Sequence, residues 1–208
     1  MLSIILGILI SYLIGSFPTA YLFGKWYKGI DIRQHGSGNM GATNVFRVLG
    51  KIQGMIVLIL DIIKGIIPPT IVADTLGLDQ IIVRVFLGLV AVCGHNWTIF
   101  LGFKGGKGIA TSLGVLVGLT IEIPGLRPVL LVCVGTWIVL FLISGYVSLS
   151  SIIAAIILPL AMVGTNQPFE MVMLGVIFCI FVVLRHKTNI QRLLSGKESR
   201  VHWPFKRS

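Results

Sequence analysis

IQGMIVLILDIIKGIIPPTIVA, residues 52–73, carries charge only at Asp61 and Lys64. As a helix, its 22 residues reach about 33 Å, enough for the ~30 Å hydrocarbon core of a bilayer. Asp61 and Lys64 are three residues apart, so they share a helix face and can neutralise each other. Each alone would be costly in lipid. The favoured reading is a structural ion pair. The alternative is a polar track from the cytoplasm to a functional site.

Working outward, the same pattern recurs. Apolar runs occupy 3–24, 81–102, 109–122, 128–143, 147–164 and 170–184, making seven with 52–73. The run at 109–122 is short for a crossing. The run at 3–24 has neither the basic start nor the A-x-A end of a signal peptide, so it reads as a retained helix, kinked near Gly15 and Pro18. Only 12% of the residues are charged and 55% are hydrophobic, against about 25% charged in ordinary soluble domains. This excludes a soluble enzyme, a disordered chain and a secreted disulfide scaffold. Cys93, Cys133 and Cys179 lie singly in apolar runs, which argues against disulfides and structural zinc. His35, His95, His186 and His202 show no metal-binding spacing, and no carboxylate cluster suggests a metal. No cofactor is expected.

The chain carries 17 Lys+Arg against 7 Asp+Glu, a net charge of +10. In a soluble protein that excess would suggest nucleic acid. Here it has a simpler origin, because cytoplasmic loops of membrane proteins collect Lys and Arg. With seven spans, one face holds 25–51, 102–108, 144–147 and 185–208, with 14 of the 17 bases. The opposite face holds Arg127 with Asp74, Asp79, Glu122 and Glu170, while Lys64 and Arg84 lie within spans. The expected fold is therefore all-α. It is a polytopic integral membrane protein of seven transmembrane helices and a single domain over 1–208, with the N-terminus outside and the C-terminus cytoplasmic. Six spans would put the basic tail opposite the first basic loop.

Every glycine-rich basic string then faces the cytoplasm. In GSGNMGATNVFR, residues 36–47, Gly36, Gly38 and Gly41 allow backbone N–H groups to converge into an anion-binding nest. Ser37, Asn39, Thr43 and Asn44 add hydroxyl and amide groups, Ala42 keeps the approach small, and Arg47 adds charge. The bland alternative is a flexible surface loop. In FKGGKGIAT, residues 103–111, Gly105, Gly106 and Gly108 surround Lys107 just before an apolar helix, whose N-terminus favours anions. It is not the G-x-x-x-x-G-K-[ST] phosphate loop of nucleotidases. Lys104 and Lys107 can also be plain inside-positive anchors. GHNW, 94–97, reads as a hydrogen-bonded helix end with Trp97 in an aromatic belt. In LRHKTNIQRLLSGKE, 184–198, His186 and Asn189 share a face of an amphipathic interfacial helix. Arg185, Lys187 and Lys197 read as snorkelling bases, and Glu198 as the partner of a loop base or as a cap.

Three strings, GSGNMGATN at 36–44, GHNWTIFLGFKGGKGIAT at 94–111 and RHKTNIQRLLSGKE at 185–198, jointly resemble the bacterial acyl-phosphate:glycerol-3-phosphate acyltransferase family. The resemblance implies a multi-pass enzyme of the inner cell membrane with a cytoplasmic active site. Its reaction would pass an acyl group from long-chain acyl phosphate to the 1-hydroxyl of glycerol 3-phosphate, giving lysophosphatidic acid and phosphate. The partners implied are these two substrates and the bilayer, with no nucleic acid. Acyl phosphate is already an activated anhydride, so no enzyme nucleophile is required. The resemblance assigns Ser37, Arg47, Lys107, His186 and Asn189 to the polar site. Ser37 and Arg47 would grip one phosphate. Gly41, Ala42, Thr43 and the cradle at 105–108 would surround the other phosphate and the developing oxyanion. His186 and Asn189 would orient the glycerol hydroxyl, with His186 as general base the competing reading, and Ser144 would add a donor.

Two rivals belong to other classes. An organic-phosphate transporter would place its site near the midplane, often between repeats, and this chain has no internal repeat. An acyl-CoA-dependent acyltransferase differs only in the donor. The charge split makes its own prediction about topology. A cysteine placed at position 77 reacts with an impermeant thiol reagent in intact cells, and one placed at position 200 does not. Labelling of both from the same side would overturn seven spans.

Overall fold

The computed structural model describes residues 1–201, which fall into two compact units, Met1–Pro124 and the described part of Gly125–Ser208. His202 and the tail bases Lys206 and Arg207 lie outside the described residues. Within them, every regular element is helical.

The first unit contains α1 (Leu2–Ser16), α2 (Thr19–Lys28), α3 (Ala42–Val48), α4 (Lys51–Ile66), α5 (Ala73–Thr75), α6 (Ile81–Asn96) and α7 (Ile109–Glu122). The stretch expected as one kinked helix over 3–24 lies in one span-length helical stretch, Leu2–Lys28, interrupted between α1 and α2. Pro18 cannot donate a backbone hydrogen bond and drives Phe17 to φ −55°, ψ 117°, outside the helical region. Pro68 and Pro69 similarly force a π-helical turn, Pro68–Val72, between α4 and α5.

Helix α1 packs on α6, and α4 packs on α7. Both crossings are closed by small residues, since lipid offers no hydrophobic gain for helix association and close packing must supply it. A methyl group on Gly15 would overlap the Ala91 carbonyl, and one on Gly94 would overlap the Tyr12 carbonyl. On the other pair, Gly65 lies against the Thr111 carbonyl and Gly114 against the Ile62 carbonyl. Polar side chains lock the first crossing: Tyr12 Oη donates to Trp97 O at 2.6 Å and Thr98 Oγ1 to Ser16 O at 2.5 Å.

At the start of α6, Arg84 is buried and gathers the acids of the turns around it. It lies 2.6 Å from Asp74 and 3.4 Å from both Asp79 and Glu122, and it donates to Pro69 O at 3.0 Å. His95 is eleven residues further along the same helix, about 16 Å away along its axis. The acidic turns and the glycine-rich strings thus occupy opposite ends of this unit.

The second unit contains α8 (Arg127–Ser144), α9 (Val147–Gly164), α10 (Phe169–Arg185) and α11 (Lys187–Leu194). Helix α9 packs against both α8 and α10. Trp137 Nε1 donates to Ser151 Oγ at 3.1 Å across the first contact. Helices α10 and α11 meet at 61° around His186, so the tail string is a bend rather than one continuous helix.

Among the described residues, five helical stretches are long and apolar enough to cross a membrane, and six if the bent α10–α11 pair is one span. Helix α7, with 14 residues, is about 21 Å long and shorter than the hydrocarbon core. The glycine crossings give a sharp test. Gly114→Ala drives its Cβ into the Ile62 carbonyl, which belongs to a helix backbone and cannot rotate away. The expected loss is about 1–3 kcal/mol, read as a lowered unfolding midpoint in detergent. An unchanged midpoint would show that this crossing is loose.

Candidate functional site

The string 36–47 is shaped by an asparagine that reading the sequence had grouped with its ligand-directed residues. Asn44 is buried in α3. Its Oδ1 accepts from Ser37 N at 2.8 Å, and its Nδ2 donates to His35 O at 3.0 Å and Ile32 O at 3.3 Å. One side chain thus pins the loop at three backbone points. Gly36 has φ 62°, and a Cβ there would overlap Asn44 Oδ1, so both the backbone conformation and the space demand glycine. Upstream, Asp31 holds Arg33 in a fork, with Nη2 to Oδ2 at 2.6 Å. The hydrogen-bonded Arg33 guanidinium keeps the Asp31 carboxyl down at about 2. Ser37, Thr43 and Arg47 are exposed, Arg47 on the last turn of α3, and Gly38, Asn39 and Gly41 are half-buried. Lys28 Nζ donates to Val48 O at 2.8 Å and closes the end of α3.

The string 103–111 differs from an open nest. Gly105 N donates to Asn96 O at 3.2 Å and Gly106 N to His95 O at 3.0 Å. These two N–H groups therefore cap the C-terminus of α6 and are not aimed at a ligand. Gly102 and Phe103 follow one another in the left-handed region, at φ 63° and 61°, a conformation unusual for phenylalanine. Gly108, at φ 79°, starts α7. Lys104 is exposed, whereas Lys107 is half-buried.

The two glycine-rich strings meet inside the first unit. Met40 and Gly106 line one small, partly open cavity together with Ser16, Phe17, Pro18, Thr19, Lys64, His95 and Thr98. Beside it lies the buried carboxylate of Asp61. Asp61 Oδ1 accepts from Thr19 Oγ1 and pairs with Lys64 Nζ, each at 2.6 Å, and His95 Nδ1 lies 3.8 Å away. Lys64 Nζ also donates to Phe17 O at 3.1 Å, filling the gap that Pro18 opens in the backbone. Asp61 and Lys64 do form an ion pair, but His95 and Thr19 join it. Reading the sequence left His95 as a helix end. The one available signal was a second ionisable residue at the membrane edge next to a glycine string.

In the second unit, His186 and Asn189 are both buried around the α10–α11 bend. His186 Nδ1 lies 2.7 Å from Val182 O. A carbonyl can only accept, so Nδ1 carries a proton and donates to it. Asn189 Nδ2 donates to Glu198 Oε1 at 2.6 Å, and Ser148 Oγ donates to the same oxygen at 2.6 Å. Glu198 thus anchors the tail to Asn189 and to α9. Ser144 Oγ donates to Leu140 O at 2.6 Å and accepts from Tyr146 N, so its hydroxyl already caps the α8–α9 turn.

The comparisons decide the family. Residues 5–196 match the family described as glycerol-3-phosphate acyltransferase. The chain belongs to it. A glycerol-3-phosphate acyltransferase of Synechococcus sp. (strain CC9902) is 43% identical over 201 residues, covering 97% of this chain and 96% of that protein. The one from Desulforudis audaxviator is 45% identical over 200 residues, covering 96% of each. The crystal structure of PlsY (YgiH), an integral membrane glycerol 3-phosphate acyltransferase in its glycerol 3-phosphate form, is 40% identical. It superposes with a TM-score of 0.86 over 96% of each chain. Its lysophosphatidic acid form gives 0.83 at 38% identity, again over 96% of each. This member of the family is a multi-pass membrane protein.

Asn44 carries a prediction. Asn44→Ala removes three bonds from a buried position and releases the loop without touching the exposed Ser37, Thr43 or Arg47 side chains. Amide exchange at Ser37 is expected to accelerate, with a stability loss of about 1–3 kcal/mol. Unchanged protection at Ser37 would show that the loop holds its shape by other means.

Proposed function

We propose that the chain transfers the acyl group of a long-chain acyl phosphate to the 1-hydroxyl of sn-glycerol 3-phosphate. The products are lysophosphatidic acid and inorganic phosphate, the first acylation in phospholipid biosynthesis. The observation that carries this reading is the pair of PlsY forms. A relative matching this chain over 96% of its length is known with glycerol 3-phosphate and with lysophosphatidic acid, which differ by one acyl ester. Acyl phosphate as the donor is supported by its chemistry. The carbonyl is already activated, the hydroxyl proton can leave on the departing phosphate, and binding and charge stabilisation suffice.

We read the two units as one acyltransferase domain with seven spans, α7 being the short one. The N-terminus lies outside, and the glycine-rich strings and the tail face the cytoplasm of the inner cell membrane. In this reading Ser37 and Arg47 hold one phosphate, Arg47 by its planar fork. Gly41, Ala42, Thr43 and the turn at 105–108 flank the other. With the Gly105 and Gly106 N–H groups engaged by α6, the attraction there rests on Lys107 and the start of α7. His186 and Asn189 orient the glycerol hydroxyl, and Glu198 fixes the Asn189 amide. With Nδ1 engaged by the Val182 carbonyl, Nε2 is the ring atom that meets the hydroxyl in this reading.

The donor is tested with purified protein and labelled glycerol 3-phosphate. Product is expected with palmitoyl phosphate and none with palmitoyl-CoA; the reverse result would overturn the reading. A second measurement separates orientation from base catalysis at His186. The glutamine amide reaches the position of Nε2, so His186→Gln is expected to keep kcat within about tenfold, the scale of one hydrogen bond. A general base is worth about 10²–10⁴-fold. It must be neutral, so its activity falls as pH drops through about 6.5. Loss of that acid limb together with a 10²-fold or greater fall in His186→Gln would make His186 the base.

A further inference from the structure

The buried group formed by Thr19, Asp61, Lys64 and His95 has no part in the roles assigned so far, yet it adjoins both glycine-rich strings. His95 is 6% exposed and Asp61 is 1% exposed. The imidazole lies between Asp61 and Gly106: Nδ1 is 3.8 Å from Asp61 Oδ1, and Nε2 faces Gly106. A side chain on Gly106 would overlap His95 Nε2 and come within 2.9 Å of Met40 O, so the ring, the 105–108 turn and the 36–41 loop touch at one point. The same residue also holds the turn by its backbone, through Gly106 N to His95 O at 3.0 Å. A fold-stabilising pair needs only Asp61 and Lys64. It does not explain a second ionisable ring aligned between that carboxylate and a glycine turn.

We propose that Asp61 and His95 form a buried positioning pair that sets the 105–108 turn, and through it Lys107, for a substrate phosphate. The inference rests on the phosphate-binding reading of that turn. The carboxylate, 3.8 Å from Nδ1, holds the ring's orientation by its charge, and the Nε2 edge packs on Gly106 of the turn, as outer partners orient ligating histidines. Lys64 and Thr19 hold the carboxylate in place. Neither Asp61 nor His95 need touch substrate.

The experiment measures KM for glycerol 3-phosphate and for palmitoyl phosphate, kcat, and the thermal unfolding midpoint in detergent. The proteins are wild type, His95→Gln, His95→Asn and the double variant Asp61→Asn/Lys64→Met. Glutamine reproduces the Nε2 position and asparagine the Nδ1 position. His95→Gln keeps the edge that faces the turn but loses the one that faces Asp61, so it is expected to raise the affected KM by less than His95→Asn does. His95→Asn is expected to raise one KM by about 10-fold or more with little change in kcat, the size of a lost hydrogen-bonded contact. The double variant removes the ion pair without leaving a buried lone charge, and it carries the test if His95→Asn does not fold. It is expected to fold with a lowered midpoint, since the Phe17 carbonyl loses its Lys64 partner, and to show the same KM defect. Normal KM values in His95→Asn or in the double variant would overturn the proposal, as would equal defects in His95→Gln and His95→Asn. Wild-type protein inactive with palmitoyl phosphate would instead overturn the reading beneath it.

Discussion

A carboxylate inside an apolar helix has to be satisfied by the protein, because the lipid around it offers nothing. Asp61 on α4 draws Thr19 from α2, Lys64 from its own helix and His95 from the end of α6. Three helices are thereby tied at one level. The break at Phe17–Pro18 sits at that level too, since Lys64 also satisfies the Phe17 carbonyl. The second Asp61 oxygen is buried without a partner among the described residues. Leaving such an oxygen unsatisfied costs about 1–3 kcal/mol or more, an expense that fold stability alone does not explain.

Around this knot the first unit is polarised. Arg84 neutralises the acids of the turns at one end of α6, while the glycine-rich strings and their bases gather at the other. Glycine crossings bring α1 onto α6 and α4 onto α7, and at the first the approach is close enough for short hydroxyl groups to bond backbone carbonyls across it. That closeness positions the end of α6, and the end of α6 positions the 105–108 turn through two N–H donors.

Much of the polarity in the family-like strings therefore serves the loops themselves. Asn44 fastens the 36–44 loop, Gly105 and Gly106 cap α6, Ser144 caps a turn, and Glu198 with Ser148 fixes Asn189. Ser37, Thr43, Arg47, Lys104, Lys187, Arg192 and Lys197 remain exposed on the surface of these strings. Loops built this way arrive preorganised, so substrate binding need not order them.

The amino-acid order by itself determined the helical membrane class, the segregation of basic and acidic turns and the three family-bearing strings. Each depends on composition or spacing along the chain, and lipid permits few alternatives to a helix. Tertiary structure decided which polar groups spend their hydrogen bonds on the fold. Gly105 and Gly106 read as donors to a ligand until the end of α6 was seen to accept from them. That His186 Nδ1 is spent on the Val182 carbonyl was not legible in the sequence. His95 and Asp61 stand 34 residues apart in the chain and meet only because glycine crossings bring their helices into one bundle. Hydrogen bonding is decided by distances of a fraction of an ångström between groups remote in sequence, and spacing along the chain carries no record of them.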